Sequence, residues 1–285
     1  MTRRELIVSA SLLPFAASAG ENPEGSIEVV EKRAGGRLGV AALDTQTGRR
    51  IDWRAGERFP MCSTFKLLMV ARVLQKVDRG EERLDRRIEY GKSDLLDYAP
   101  VTRSHLGEGG MSVEDLAAAA IEWSDNTAAN LLLAAIGGPS GYTRFARSLG
   151  DAQTRLDRNE PTLNTSIPGD ARDTTTPRAM LEDLRRVLLG DILSTRSRKR
   201  LTGWMIGCKT ADHRIRAGLP KGWKSGDKTG TGQNGSTNDI AILWPAGRKP
   251  VLLTVYYTGS KAGMGEREGA IADVARIVGK TFQPI

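Results

Sequence analysis

Asn238-Asp239-Ile240-Ala241-Ile242-Leu243-Trp244 and Val251-Leu252-Leu253-Thr254-Val255-Tyr256-Tyr257, linked through Pro245-Ala246-Gly247-Arg248, decide the fold. Both runs are rich in β-branched and aromatic residues and are bounded by turn formers, so they read as strands; the short link makes them antiparallel. A matching pair stands at the other end of the chain. Leu38-Gly39-Val40-Ala41-Ala42-Leu43 reads as a strand, residues 44–48 as a turn, and Arg50-Ile51-Asp52-Trp53 as the returning strand. A short helix is expected near residues 27–32. Residues 268–280 close the chain as an amphipathic helix with Ile271, Val274, Ala275 and Val278 on one face.

Between these ends the periodicity is helical. Residues 64–77 place Phe65, Leu68, Val73 and Val77 near one side, and Ser112-Val113-Glu114-Asp115 opens an Ala-rich helix running to about Trp123. Residues 127–136 form a third helix, stopped by Gly137-Gly138-Pro139. Thr176-Pro177 caps a helix carrying Met180, Leu181, Leu184 and Leu188. Residues 151–175 have no sustained period, and a long loop inside a compact fold is usually functional. The expected class is α+β, an α-β sandwich. An antiparallel sheet formed from both chain ends is flanked by helices, an all-α domain is inserted, and the active site lies in the cleft between them. The predicted domains are residues 20–62 with 207–285, and residues 63–206.

The chain has 285 residues, 39% of them hydrophobic, with 42 Lys+Arg against 34 Asp+Glu. That balance excludes a disordered chain, and a chain of this length buries roughly 70–75% of its unfolded surface. Two Cys and two His, unclustered, cannot supply a zinc site, so no metal and no cofactor is expected. The net charge of +8 is dispersed among acids. Its one basic run, Arg196-Ser197-Arg198-Lys199-Arg200, reads as an exposed helix face, which argues against a nucleic-acid partner. The charge suits solubility and attraction of anionic small molecules or an anionic envelope.

Arg3 and Arg4 precede an apolar stretch of about 12 residues, short of the ~20 that span a bilayer, and Ala17-Ser18-Ala19 offers small residues for cleavage. Residues 1–19 therefore read as a signal peptide. Thr2-Arg3-Arg4-Glu5-Leu6-Ile7 resembles a twin-arginine signal. The expectation is export to the periplasm or exterior, without stable membrane insertion. Export permits a disulfide, but sequence spacing alone does not say whether Cys62 and Cys208 meet; both read as small buried hydrophobes.

Three short motifs carry chemistry. Ser63-Thr64-Phe65-Lys66 taken alone is a capped helix start, yet a separation of three puts Lys66 on the face of Ser63, at a helix N-terminus whose N–H groups suit an oxyanion. Burial of the lysine stem lowers its pKa and lets it accept a proton. Ser124-Asp125-Asn126 taken alone is a turn with a cap. Lys228-Thr229-Gly230 follows Gly226-Asp227 and suits an edge strand. The information lies in the three together, in this order.

That set resembles the penicilloyl-serine transferases, the serine β-lactamases and penicillin-binding proteins among them. A fourth element, Arg158-Asn159-Glu160-Pro161-Thr162-Leu163-Asn164, matches the class A β-lactamase pattern of an acid followed four positions later by Asn, and Asp170-Ala171-Arg172-Asp173-Thr174-Thr175-Thr176-Pro177 resembles class A as well. The chain is thereby identified as similar to class A serine β-lactamases over nearly all of its mature length. The resemblance implies hydrolysis of β-lactam antibiotics, and so antibiotic resistance, by a monomer through a serine acyl-enzyme. Ser63 would be the nucleophile. The N–H groups of Ser63 and Thr231 would form the oxyanion hole, Glu160 with Asn164 would hold and activate the deacylating water, Lys66 would support Ser63, and Ser124 would protonate the leaving nitrogen. Arg158 and Asp173 would clamp an omega loop of about residues 155–175.

The resemblance also implies substrate contacts at Asn126, Lys228, Thr229, Gly230 and Thr231, with Tyr98 as the aromatic gatekeeper. Many relatives add an arginine at the position that aligns with Thr237; a minority supply one from the region that aligns with His213-Arg214-Ile215-Arg216, which gives Arg214 the carboxylate-binding part. Cys before the nucleophile occurs in class A carbapenemases, bridged to a position that is Gly232 here, so Cys62 is expected to be a free thiol packed beneath Ser63. A penicillin-binding D,D-peptidase shares Ser63, Lys66, Ser124 and Lys228 but lacks the Glu160 base. A non-hydrolysing β-lactam sensor domain stays acylated and is tethered to a membrane protein, for which no spanning stretch is read here.

Overall fold

The computed structural model describes residues 22–283; the expected signal peptide lies outside the described residues. In chain order the first elements are α1 (Pro23–Ala34), β1 (Arg37–Asp44), β2 (Arg50–Trp53), β3 (Phe59–Pro60), α2 (Phe65–Asp78), β4 (Arg87–Ile88), β5 (Met111–Ser112), α3 (Val113–Glu122), α4 (Asn126–Ala135) and α5 (Gly138–Ser148). They are followed by β6 (Thr174–Thr175), α6 (Pro177–Leu189), α7 (Thr195–Ile206), α8 (Ile215–Gly218), β7 (Lys224–Thr231), β8 (Thr237–Trp244), β9 (Val251–Thr258) and α9 (Met264–Phe282).

The sheet runs β2-β1-β9-β8-β7, every pair antiparallel. Val40 lies opposite Val255, and this β1–β9 ladder joins the two ends of the chain. Both faces are covered, which is why the central strands are almost continuously buried. Leu38, Val40, Leu253 and Val255 pack on one face against α1 and α9; Ala41, Leu43, Leu252 and Tyr256 pack on the other against the central helices. Only β7 and β2 are edges, and β7 carries Lys228-Thr229-Gly230 as expected.

Two local expectations need correction, and a third holds and is extended. The first helix is longer than residues 27–32: Asn22 caps it by accepting from Gly25 N, and Pro23 fits its first turn. Helix α2 is not one-sided. Phe65 through Ala71 are all fully buried because α2 packs against α3, α4, α5, α6 and α7, so the apolar stripe widens to the whole circumference. Gly137-Gly138-Pro139 does stop α4, but it also starts α5: Gly137 is left-handed (φ 88°) and Pro139 sits in the first turn, where its missing N–H costs nothing. The other caps follow the sequence. Ser112 accepts from Asp115 N and Thr176 from Ala179 N.

The run 196–200 lies on α7, with Arg196 and Lys199 exposed while Arg200 reaches Glu114 at 2.7 Å. Residues 151–175 form an irregular loop with one 3-10 turn, Thr162–Thr165, and end in β6, which pairs with β3 just before Ser63. That ladder ties the loop bearing Glu160 to the strand that delivers Ser63.

Candidate active site

Ser63 lies in a 3-10 turn, Cys62–Thr64, that leads into α2. Its hydroxyl does not cap the helix. It donates instead to Glu160 Oε1 at 3.0 Å. Lys66, one turn on and fully buried, sends Nζ to Glu160 Oε1 at 3.1 Å, Ser124 O at 2.7 Å, Ser124 Oγ at 3.3 Å and Asn126 Oδ1 at 2.6 Å. Burial pushes the Lys66 ammonium below its ordinary range, and the Glu160 carboxylate opposes the shift.

In Ser124-Asp125-Asn126 the structural and chemical tasks divide between neighbours. Asp125 caps α4 through Ala128 N and also accepts from Val101 N and Thr102 N. That leaves Ser124, left-handed at φ 58°, and Asn126 to face the cleft. Ser124 Oγ receives Lys66 from one side and Lys228 Nζ, at 3.0 Å, from the other. The Lys228 ammonium is pushed down to about 7 by burial and, after that, by repulsion from Lys66.

Gly230 is required by a close approach. A Cβ there would come within 2.8 Å of Met61 O and 3.1 Å of Ser63 N, so only glycine lets β7 lie against the Ser63 turn. Glu160 is fixed twice over. Asn164 Nδ2 donates to its Oε2 at 2.5 Å, and Asn130 brackets its backbone, donating to Glu160 O at 2.9 Å and accepting from Glu160 N at 3.0 Å. Asn130 escaped the sequence reading. The available signal was a second amide four residues after Asn126, on the same face of α4, whose remaining residues are apolar but for Thr127. Further along the loop, Arg158 Nε meets Asp173 Oδ2 at 2.6 Å, and Asp173 Oδ1 accepts from Asp157 N and Arg158 N.

Arg214 is no surface charge. It is buried, with Nη1 donating to Gly230 O and Asn238 O, Nη2 to Thr231 Oγ1, and Nε to Glu268 Oε1. Thr237 lies buried in β8 and accepts from Arg267 Nε. Tyr98, half exposed, stands at the mouth. Ser63, Tyr98, Ser124, Asn126, Asn164, Arg214, Thr229, Gly230 and Thr231 line one cleft of about 410 Å³, joined by Thr210 and Glu268, which no sequence feature singled out. A larger cavity of about 590 Å³ lies beneath the tip of the 151–175 loop, but it lacks a nucleophile with a base. Cys62 and Cys208 are both free and buried, and Cys62 Sγ lies 3.7 Å from Ser166 Oγ, with its thiol pushed up to about 12 by burial. Among the described residues no cluster of His, Cys, Asp and Glu could hold a metal ion, and no helix is long and apolar enough to cross a membrane.

Comparison with known proteins gives the same direction. Residues 22–282 match the model of the beta-lactamase enzyme family. The chain is 45% identical to the β-lactamase Toho-1 of Escherichia coli, covering 98% of each chain, and 48% identical to the β-lactamase OXY-2 of Klebsiella oxytoca, covering 96% of this chain and 97% of that one. Among solved structures, an ancestral (GNCA) class A β-lactamase superposes with a TM-score of 0.90 at 59% identity, over 92% of this chain and all of that one. A putative class A β-lactamase, PenP, from Rhodopseudomonas palustris gives 0.89 at 53%, over 91% and 99%. Sharing both its sequence and its architecture with these proteins almost end to end, the chain belongs to the beta-lactamase family and is a class A β-lactamase.

Proposed function

We propose that this enzyme opens β-lactams by forming an ester on Ser63 and clears the ester with a water activated by Glu160. The observation that carries the reading is the shared carboxylate. Glu160 Oε1 accepts from the Ser63 hydroxyl and from Lys66, while Oε2 is held by Asn164. Ser63 Oγ attacks the lactam carbonyl and its proton passes to this Lys66–Glu160 pair. The N–H groups of Ser63 and Thr231 meet the developing oxyanion, each donor worth roughly 10²–10³ in rate. The C–N bond then breaks, and Ser124, bridged to both lysines, delivers a proton to the nitrogen. In the second half Glu160 takes a proton from water, which attacks the ester and releases Ser63.

Recognition follows from charge. Lys228, Thr229, Thr231 and Arg214 make a cationic corner for the substrate carboxylate; Asn126 and Gly230 flank the bound lactam, Tyr98 covers it, and Arg158 with Asp173 clamps the loop carrying Glu160. We take residues 20–62 with 207–285 as one domain and 63–206 as the other: the hydrophobic cluster on one face of the sheet is drawn wholly from the first, while the cluster on the other face joins residues of both. We further take the enzyme to be an exported monomer, released to the periplasm or exterior after removal of residues 1–19. N-terminal sequencing of the mature protein and its size in solution check both points.

Mixing enzyme with a chromogenic cephalosporin tests the reading. Continued turnover is expected; a single stoichiometric burst would instead point to a D,D-peptidase or a sensor. Mass spectrometry of Ser63→Ala should find no penicillin adduct, and an adduct on another residue would sink the assignment.

A further inference from the structure

We propose that Asp151 and Asp183 share one proton, forming a singly charged latch at the neck of the 151–175 loop, and that Asp183 is thereby a positioning residue for the deacylation step. The second clause rests on the reading of Glu160 as the base.

The two carboxyl groups are neighbours, one just past the end of α5 and one on α6, and both line a cavity of about 430 Å³. They are 7% and 1% exposed. Asp151 Oδ1 accepts from Gln153 N at 2.6 Å and Thr154 N at 3.0 Å, but Asp151 Oδ2 and Asp183 Oδ2 are buried without any donor. Two ionised carboxylates cannot satisfy each other. One proton between them supplies the missing donor to one and the missing acceptor to the other, and removes the repulsion of two buried like charges.

No neighbour can take the proton's place. Arg186, one turn from Asp183 on α6, opposes the upward shift of its carboxyl without donating to either free oxygen, Arg147 on α5 spends its Nη1 on the backbone carbonyls of Asp151 and Thr154, Arg178 lies on the cavity wall, and Glu182 adds negative charge. Two buried phenols face the pair, Tyr142 from α5 and Tyr256 from β9. Their hydroxyls are engaged elsewhere, with Met61 Sδ at 3.5 Å and Thr64 Oγ1 at 3.2 Å respectively. Burial, and after it the Asp151 charge, raises the Asp183 carboxyl well above the ordinary carboxylate range.

The latch bears on the loop through Asp151. By holding Gln153 N and Thr154 N it sets the entry of the loop, where Thr154 Oγ1 meets Thr175 Oγ1 at 2.6 Å and Arg155 N donates to Thr174 O. Entry and exit of the segment that carries Glu160 are thus pinned together beside a carboxyl pair. Because the pair binds a proton more tightly folded than unfolded, stability falls as pH rises from the ordinary carboxylate range through the raised pKa and is level above it.

Asp183→Asn places an amide donor where the shared proton stands and does not titrate. Its expected deacylation rate is within about twofold of wild type at neutral pH, with the pH-dependent loss of thermal stability reduced. Asp183→Ala leaves Asp151 Oδ2 unpaired; slower deacylation, about tenfold or more, is expected with acylation little changed. The infrared difference spectrum, wild type minus Asp183→Asn, should show a protonated-carboxyl C=O band at neutral pH. Absence of that band, an unchanged stability profile in Asp183→Asn, or equal damage from Asn and Ala overturns the proposal. A wrong base assignment would show separately, as rapid turnover by Glu160→Ala, and leave the band and the stability profile to judge the pair.

Discussion

The two walls of the cleft each bury a lysine but treat its charge in opposite ways. On the wall built from α2 and the 151–175 loop, Lys66 stands 3.1 Å from the Glu160 carboxylate, so the group is nearly neutral as a unit. On the β7 wall, the hydrogen bonds of Lys228 go to neutral oxygens, Ser124 Oγ and Thr229 O, and three of those made by Arg214 do likewise. The first wall carries its own counterion. The second has cationic charge that Glu268 only partly offsets, the buried Asp239 behind it having its carboxyl raised well above the ordinary range by burial, and that is the arrangement an anionic substrate is proposed to complete. The chemistry proposed above is assigned to the first wall and recognition to the second, and that division can be tested.

Removing the counterion of the first wall should have the largest effect. In Glu160→Ala the penicillin adduct should form and then persist, with deacylation slowed by about 10²–10⁴, the usual worth of a positioned base. Mass spectrometry of the reaction over time reads this directly, and rapid loss of the adduct would remove Glu160 from the mechanism.

Arg214→Ala acts on the second wall only. Loss of one charge-assisted hydrogen bond predicts a fall in kcat/KM of ~1.5–3 kcal/mol, roughly 10–100-fold, with the rate of adduct hydrolysis preserved. Because Arg214 also joins Gly230, Asn238 and Glu268, circular dichroism must first establish that the variant is folded. Unaltered kinetics in folded protein would leave Arg214 a structural brace.

Lys228 offers a milder perturbation through pH. Its ammonium is held down to about 7, so the cation proposed to meet the substrate carboxylate is progressively lost as pH rises past that value. The kcat/KM profile, which reports the free enzyme, should decline above about pH 7, approaching tenfold per unit, and Lys228→Arg should move that limb upward because a guanidinium does not titrate there. A profile with the same limb in both proteins would assign it to another group.

The smallest effect is expected beneath the nucleophile. Thiol counting under denaturing, non-reducing conditions should give two free thiols, and native protein should resist thiol reagents at Cys62, since burial pushes that thiol up to about 12. A Cβ at Gly232 would come within 2.7 Å of Cys62 Sγ, so this is the contact in which a partner cysteine would have stood.

What the sequence determined is everything carried by local pattern. The strands announced themselves through β-branched runs and turn residues, Ser112 and Thr176 through cap chemistry, and Ser63 with Lys66 through a spacing of three at a helix start; Ser124 and Lys228 became legible only as members of an ordered set of three motifs. The family resemblance added Glu160, Asn164 and the Arg158–Asp173 pair. Only the tertiary structure decided who meets whom. It showed that α2 is buried on all sides and that Asp125 releases Ser124 for the cleft. It placed Asn130 around the Glu160 backbone, wove Arg214 into a buried network, and set Asp183 against Asp151. The reason is physical: a hydrogen bond made within one turn of helix leaves a spacing in the sequence, whereas charge pairing, close backbone approach and a buried carboxyl contact depend on distances between segments that no local period encodes.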